Sequence, residues 1–413
     1  MPLIRSFSGL RPKPQHATEV VAPPYDVLNT AEARARAEGR PNSFLHISKP
    51  EIDLAEGTDP HSPAVYAKGA ENLSRLMEQG ILQQDTEDCY YLYRLVMDGH
   101  AQTGLVAVAS VPDYDSNRIR KHEFTRPDKE DDRVNQIDAL DAQTGPVFLT
   151  YRHDEVIDAL AEKISTTTPE YDLTADDGVQ HTLWVIRDPA IIAQITQQFD
   201  AMNCLYIADG HHRSAAASRV AAMRKEQNTQ HTGDEPYNYF LSVIFPDNQM
   251  QILDYNRVIK DLNGLDAEAF VQAVAETCQL EKSTHAVKPS QAGEFGMYLQ
   301  GQWYKLNIKP GLIPVDDPVA RLDVSLLQDH LITPILAISD PRRDKRIDFV
   351  GGIRGLQELE KRVNSGEMAV AFSLYATQLH DLMAVADANK VMPPKSTWFE
   401  PKLADGLVSH LLK

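Results

Sequence analysis

The chain has 413 residues, 42% of them hydrophobic and 24% charged, and 41 Lys and Arg against 59 Asp and Glu leave a net charge of −18. That length exceeds what one core serves, so two domains or one elaborated domain are expected, with the composition of a globular protein. The acidic balance speaks against a general affinity for nucleic acid or anionic membrane, and three scattered cysteines support neither a disulfide framework nor a cysteine-rich zinc site.

The opening stretch MPLIRSFSGLRPK has no long apolar core and no cleavage signature, and no apolar run approaches a membrane span, so a reducing cytoplasm is the expected setting. Residues 1–19 read as extended or irregular. Pro23 and Pro24 forbid a helix through APPYD and present Tyr25 and Asp26 from a rigid turn. The pattern predicts a helix over 31–38, a short strand over 44–47 and an acidic loop over 51–62. A helix follows over 63–79, with Tyr66, Ala70, Leu73 and Met77 in one apolar stripe. Strands over 89–97 and 105–111 form a predicted hairpin about MDGHAQTG. Cys89 and Cys204 lie in apolar runs and read as small core residues.

A first polar cluster follows Ile119: Arg120, Lys121, His122, Glu123 and Thr125. Pro127 opens a helix with Asp128, Glu130, Asp131 and Asp132 in its first turns, the end that favours acids. Arg133 sits beside them. Strands over 148–151 and 182–186 alternate with helices over 155–164 and 189–199. A second cluster ends the apolar run 204–208, where Asp209 and Gly210 break the strand. His211, His212 and Arg213 then open an Ala-rich helix to Met223.

Beyond an exposed loop over 224–236 comes a central strand over 239–245, with 252–259 returning as its partner. A helix over 267–278, a hairpin of 295–299 with 303–308, and an apolar helix over 326–336 kinked at Pro334 follow. Strands over 347–350 and 368–374 alternate with helices over 356–363 and 379–388. The irregular end carries Trp398 and Phe399, which predict packing against the body. Alternation mixed with hairpins predicts an α+β fold with mixed sheets rather than a doubly wound parallel one. The expected division is 1–235 and 236–413, with the C-terminal segment returning toward the site.

A helix start offers backbone N–H groups to an anion, and Gly210 permits close approach. The stretch Asp209–Arg213 therefore reads as a ligand site, against the plainer reading of a capped turn with a partly buried His pair. Adjacent histidines point apart and cannot make a metal site alone; Asp209, His122 and Glu123 would have to complete it. Mg²⁺ carried on a nucleotide, with Asp209 as its protein ligand, fits better. Phosphoryl transfer needs cations on the phosphate, donors to its oxygens and a carboxylate for the alcohol proton. Arg213 supplies a fork, His211 and His212 supply donors, and Asp209 or Glu123 supplies the base. Chemistry leans to Glu123, because Asp209 stands among the phosphate-holding groups. No P-loop and no protein-kinase motif set is present. Lys395 and Ser396, in PPKST, are a second cation-and-hydroxyl group for phosphate. Tyr25, Asp26, His122, Thr125, Arg133, Arg321 and Asp323 are candidate substrate contacts. An ordinary surface or internal ion-pair role competes at each.

DGHHR resembles the signature box of the ParB/sulfiredoxin superfamily in the form found in free-serine kinases. With APPYDV at 22–27, HEFT at 122–125, RLDVS at 321–325 and PPKST at 393–397, the chain resembles the DUF1015 family over nearly its whole length. The resemblance implies a ParB/sulfiredoxin-like α/β core around 204–223, with the box at nucleotide phosphates and a separate acid deprotonating serine. Sulfiredoxin has a cysteine where this chain has His211, so sulfinic-acid reduction is not implied. The expected activity is a kinase-like phosphotransferase on a small hydroxylated metabolite, with L-serine, ATP or ADP, and Mg²⁺. A phosphate-ester hydrolase and a non-catalytic nucleotide sensor are the alternatives. Small-molecule substrate and nucleotide are the expected partners, no nucleic acid or membrane is, and a homo-oligomer is left open.

Overall fold

The computed structural model describes residues 1–413. It is an α+β protein with mixed sheets and packed helices, as the alternation predicts. The chain forms two compact units, residues 1–250 with 401–413, and residues 251–400. The boundary therefore falls at 250/251 rather than 235/236. The reason is the strand Tyr239–Pro246, which is buried along its whole length inside the first unit's sheet. An unbroken apolar run of this kind needs cover on both faces.

In the first unit the main sheet runs Ile119–Arg120, Leu205–Asp209, Val147–Tyr151, Tyr239–Pro246, His100–Ser110, Tyr90–Met97, Gln180–Ile186 and Tyr171–Thr174, with Ile4–Arg5 also on His100–Ser110. Leu205–Asp209 lies parallel to Ile119–Arg120 and antiparallel to Val147–Tyr151. That register sets the HEFT segment next to the DGHHR turn. Helices Pro127–Leu140 and His211–Gln227 pack beside each other, and Pro63–Glu78 lies against the former. Val65, Tyr66, Gly69, Leu73 and Leu76 form its buried face at helical spacing.

The returning residues 401–413 are stitched in by backbone pairing. Ala22 and Asp405 exchange hydrogen bonds of 3.1 and 2.9 Å, as do Leu10 and Ser409 at 2.9 and 2.7 Å. His410–Leu411 adds a short pairing to Ala142–Gln143.

The second unit holds an antiparallel sheet in the order Cys278–Ser283, Gln302–Ile308, Glu294–Leu299, Val370–Leu374, Tyr255–Ile259, Ile347–Gly351. Residues 252–259 do not return on 239–245. Gln251–Leu253 pairs with Trp398–Glu400, and Tyr255–Ile259 joins this second sheet. Residues 44–47 are not a strand either. Leu45–Ser48 is a helical turn, closed by the Ser48 and Lys49 amides on Phe44 and Leu45 carbonyls at 2.9 and 2.8 Å. Near Pro334 the apolar helix passes through a π turn at Gln328–Ile332 before restarting at Thr333. Cys89 and Cys278 are buried, but Cys204 is only half-buried and precedes the strand. No helix is long and apolar enough to cross a membrane.

Candidate functional site

Leu205–Asp209 ends at Gly210, whose φ of 95° puts the chain in the left-handed region and turns it into the helix His211–Gln227. A Cβ there would also stand 3.4 Å from the Val147 backbone. Arg213 and Ser214 amides both bond the Gly210 carbonyl, at 2.9 and 3.1 Å. The amides of His211 and His212 have no carbonyl one turn back and open the helix toward an acceptor.

Asp209 accepts from the Gly210 amide at 2.8 Å and from the Lys402 ammonium at 3.1 Å. Burial disfavours its charge, but Lys402, Arg213 and that amide win and hold the carboxyl well below the usual carboxylate range. Its side chain remains 37% exposed, so an ionised carboxylate stands at the surface of the turn. No group of three or more His, Cys, Asp and Glu is placed to hold a metal ion. The residues present make no resident metal centre; a divalent ion could use Asp209 only with oxygens brought by a substrate.

The imidazoles do something other than donate from Nε2. His211 is 4% exposed and its Nε2 accepts from the His122 amide at 3.4 Å, while Nδ1 faces Glu123 at 3.8 Å. Its ring packs edge-on to His122 with centroids 4.5 Å apart. Burial drives the His122 imidazole down to about 4 and that of His211 well below its ordinary value, so both are neutral at pH 7. His122 Nδ1 is buried without a partner. His212 Nε2 accepts from the Arg126 amide at 3.1 Å. With Nε2 accepting a backbone N–H, each neutral ring carries its proton on Nδ1, so donation to a phosphate falls to that nitrogen, while the two Nε2 contacts pin the HEFTR loop to the helix start. On that loop Glu123 is 54% exposed, and Thr125 is bonded to Glu130.

Arg213 donates to the Pro146 carbonyl and to Asp26 at 2.9 Å. Its guanidinium lies 5.6 Å from the Tyr25 ring centre, and that of Arg133 lies 4.0 Å from the same ring. Arg133 forks onto Asp132 at 3.1 and 2.6 Å. Tyr25, Arg133 and Arg213, with Ser48 and Thr144, line a narrow cleft of about 30 Å³, room for a water or two. Asp405 takes the Tyr25 amide at 3.2 Å; its burial pushes the carboxyl up to about 7 against the pull of Arg213.

The structure thus gathers Tyr25, Asp26, His122, Glu123, Thr125, Arg133 and Asp209–Arg213 in the first unit. Arg321, Asp323, Lys395 and Ser396 belong to the second unit and have partners within it. Arg321 bonds Asp381 at 3.3 Å, and Asp323 accepts the Gly293 amide at 2.8 Å. The Lys395 carbonyl accepts from Arg257 at 3.0 Å, and Ser396 donates to the Pro393 carbonyl at 2.6 Å. Sequence reasoning missed Lys402 and Asp405. Nothing in EPKLADGL marks two of its charges for a turn two hundred residues earlier.

The profile of a protein family described as of unknown function, DUF1015, matches residues 4–325. This chain belongs to the DUF1015 family. No curated protein sequence matches it. Solved structures similar to this DUF1015 chain include a free serine kinase in complex with AMP, 12% identical over 73% of this chain and 92% of that one, TM-score 0.35. A conserved hypothetical protein from Pyrococcus furiosus is 14% identical over 74% and 95%, TM-score 0.34. SbnI from Staphylococcus aureus, C-terminally truncated, is 11% identical over 72% and 84%, TM-score 0.31. Residues 326–413, and with them Lys402 and Asp405, lie beyond the DUF1015 match.

Proposed function

We propose that the turn Asp209–Arg213 holds the phosphates of a nucleotide and that the protein transfers a phosphoryl group to a small hydroxylated metabolite. L-serine with ATP or ADP is the first pair to test. The observation that carries this reading is the start of helix His211–Gln227. Two cations belong to this start: Lys402, bonded to Asp209 just before it, and Arg213, in its first turn. The resemblance of DGHHR to the box of free-serine kinases points the same way.

In this reading Glu123 takes the proton of the acceptor hydroxyl. The hydroxyl oxygen then bonds to phosphorus while the bond to the nucleotide's leaving oxygen breaks. Glu123 suits that task because it is exposed and its loop is fixed by the two histidines. Asp209 is too strongly ionised for a base and is the carboxylate for an ion carried on the phosphates.

The test is purified protein with Mg²⁺, ATP or ADP, and L-serine, followed by ³¹P NMR. O-phosphoserine formation that depends on serine is expected, and Glu123→Gln should lower turnover by roughly 10²- to 10⁴-fold with nucleotide binding intact. Phosphate release without an alcohol would replace the transferase by a hydrolase. Binding without turnover would leave a sensor.

A further inference from the structure

Arg213 is committed to Asp26 and to the Pro146 carbonyl, and Arg133 to Asp132. Neither touches Asp209 by a hydrogen bond. The cation that does is Lys402, from a segment remote in sequence. We propose that Lys402 is an exchangeable anion-binding residue of this site: it neutralises Asp209 when the turn is empty and moves its ammonium onto a bound phosphate, releasing the Asp209 carboxylate. This rests on the phosphate reading above and adds to it the exchange that Lys402 makes when a phosphate arrives.

Three observations support the exchange. Lys402 is held in place, because Ala404 N–H meets the Tyr93 hydroxyl at 3.4 Å and Asp405 pairs with Ala22 in both directions. The segment therefore delivers the lysine stem to a fixed point. The pair is also reachable from solvent: the side chains are 25% and 37% exposed, so an incoming anion can meet the ammonium without opening the core. A lysine ammonium is a compact charge on a flexible stem that can turn between two acceptors a few ångströms apart, which a guanidinium fork on two fixed partners cannot. Finally, the acceptor on which it rests is bonded to Gly210 N–H, the first amide of the turn. Moving the ammonium from Asp209 toward the helix start takes it to where a phosphate oxygen would meet the His211 and His212 amides. The released carboxylate is then available to an ion bound on the same phosphates.

The experiment measures binding of ADP and of inorganic phosphate by calorimetry, without Mg²⁺, to wild type, Lys402→Gln, Lys402→Arg and Asp209→Asn. Lys402→Gln should weaken ADP binding by about 10- to 100-fold, the span expected for a charge-assisted hydrogen bond, with Lys402→Arg in between. Asp209→Asn should tighten phosphate binding several-fold, because the lysine loses its resident partner. The same change made in the Lys402→Gln background should gain nothing. A purely structural lysine would not produce that non-additivity. Equal ADP affinity in wild type and Lys402→Gln overturns the role of Lys402 and leaves the phosphate reading standing. Wild type that binds neither ADP nor phosphate overturns both.

Discussion

At the scale of single residues, Gly210 and Asp405 make opposite demands on the chain. Gly210 is needed for backbone geometry: its φ of 95° is one that residues with a side chain rarely adopt, and the Val147 backbone already stands 3.4 Å from where a Cβ would sit. Gly210→Ala should cost about 1–2 kcal/mol in urea unfolding and displace the helix start. Asp405 is a buried acid. Burial pushes it up to about 7, whereas an unfolded Asp titrates near about 3.9. Between those values the folded state carries the extra proton, so this residue's stabilising contribution is full below about pH 4 and is lost as pH rises toward 7. Asp405→Asn keeps the acceptor for the Tyr25 amide and removes the titration. Relative to wild type, it should gain about 2–3 kcal/mol of stability between pH 5 and pH 8 by chemical denaturation. An unchanged difference across that range would place the Asp405 carboxyl in the ordinary range.

At the scale of elements, the Ala-rich face of His211–Gln227 lets the helix lie close on the sheet. Ala216 is fully buried and Ala217 nearly so, both in the core that includes Val147, Leu149, Leu205 and Ile207. Ala216→Leu overfills that contact and should lower stability by about 1–3 kcal/mol, read from the urea midpoint. A smaller effect would mean that the helix can lift, which the site could not tolerate. The strand–turn–helix was legible because apolar run, Asp-Gly break and Ala-rich run follow one another without interruption. The hairpin after Tyr90 was legible in kind but not in length. Asp98 and Gly99 take φ of 51° and 82° and turn the chain in two residues. The second strand thus begins at His100 rather than 105, since a tight turn with both residues left-handed pairs the polar residues that follow it. The segment 44–47 failed because four apolar and polar residues carry no period of either kind.

At the scale of the molecule, the first unit is discontinuous in sequence, and the site draws on both of its pieces. Local patterns found Asp209–Arg213, the HEFT loop and Tyr25-Asp26. They could not find Lys402 or Asp405, because an isolated charge in an irregular segment has no neighbour pattern to give it away. Deleting 401–413 removes the pairings to Leu10, Ala22 and Ala142–Gln143 together with both charges. The shortened chain should melt at lower temperature and lose nucleotide binding. The fragment 251–400 has a domain's length and a sheet of its own, so it should retain cooperative unfolding when made alone.

The tethering of Asp405 to Ala22 also sets a timetable for synthesis. Arg213 leaves the ribosome long before Lys402 and Asp405 do, at ordinary elongation rates by roughly 10 to 40 seconds. Throughout that wait the nascent turn carries Asp209 without its lysine and Tyr25 without its carboxyl. Under the proposed role of Lys402, half-made chains would hold a phosphate more weakly than finished ones, and full affinity would arrive only with the last residues.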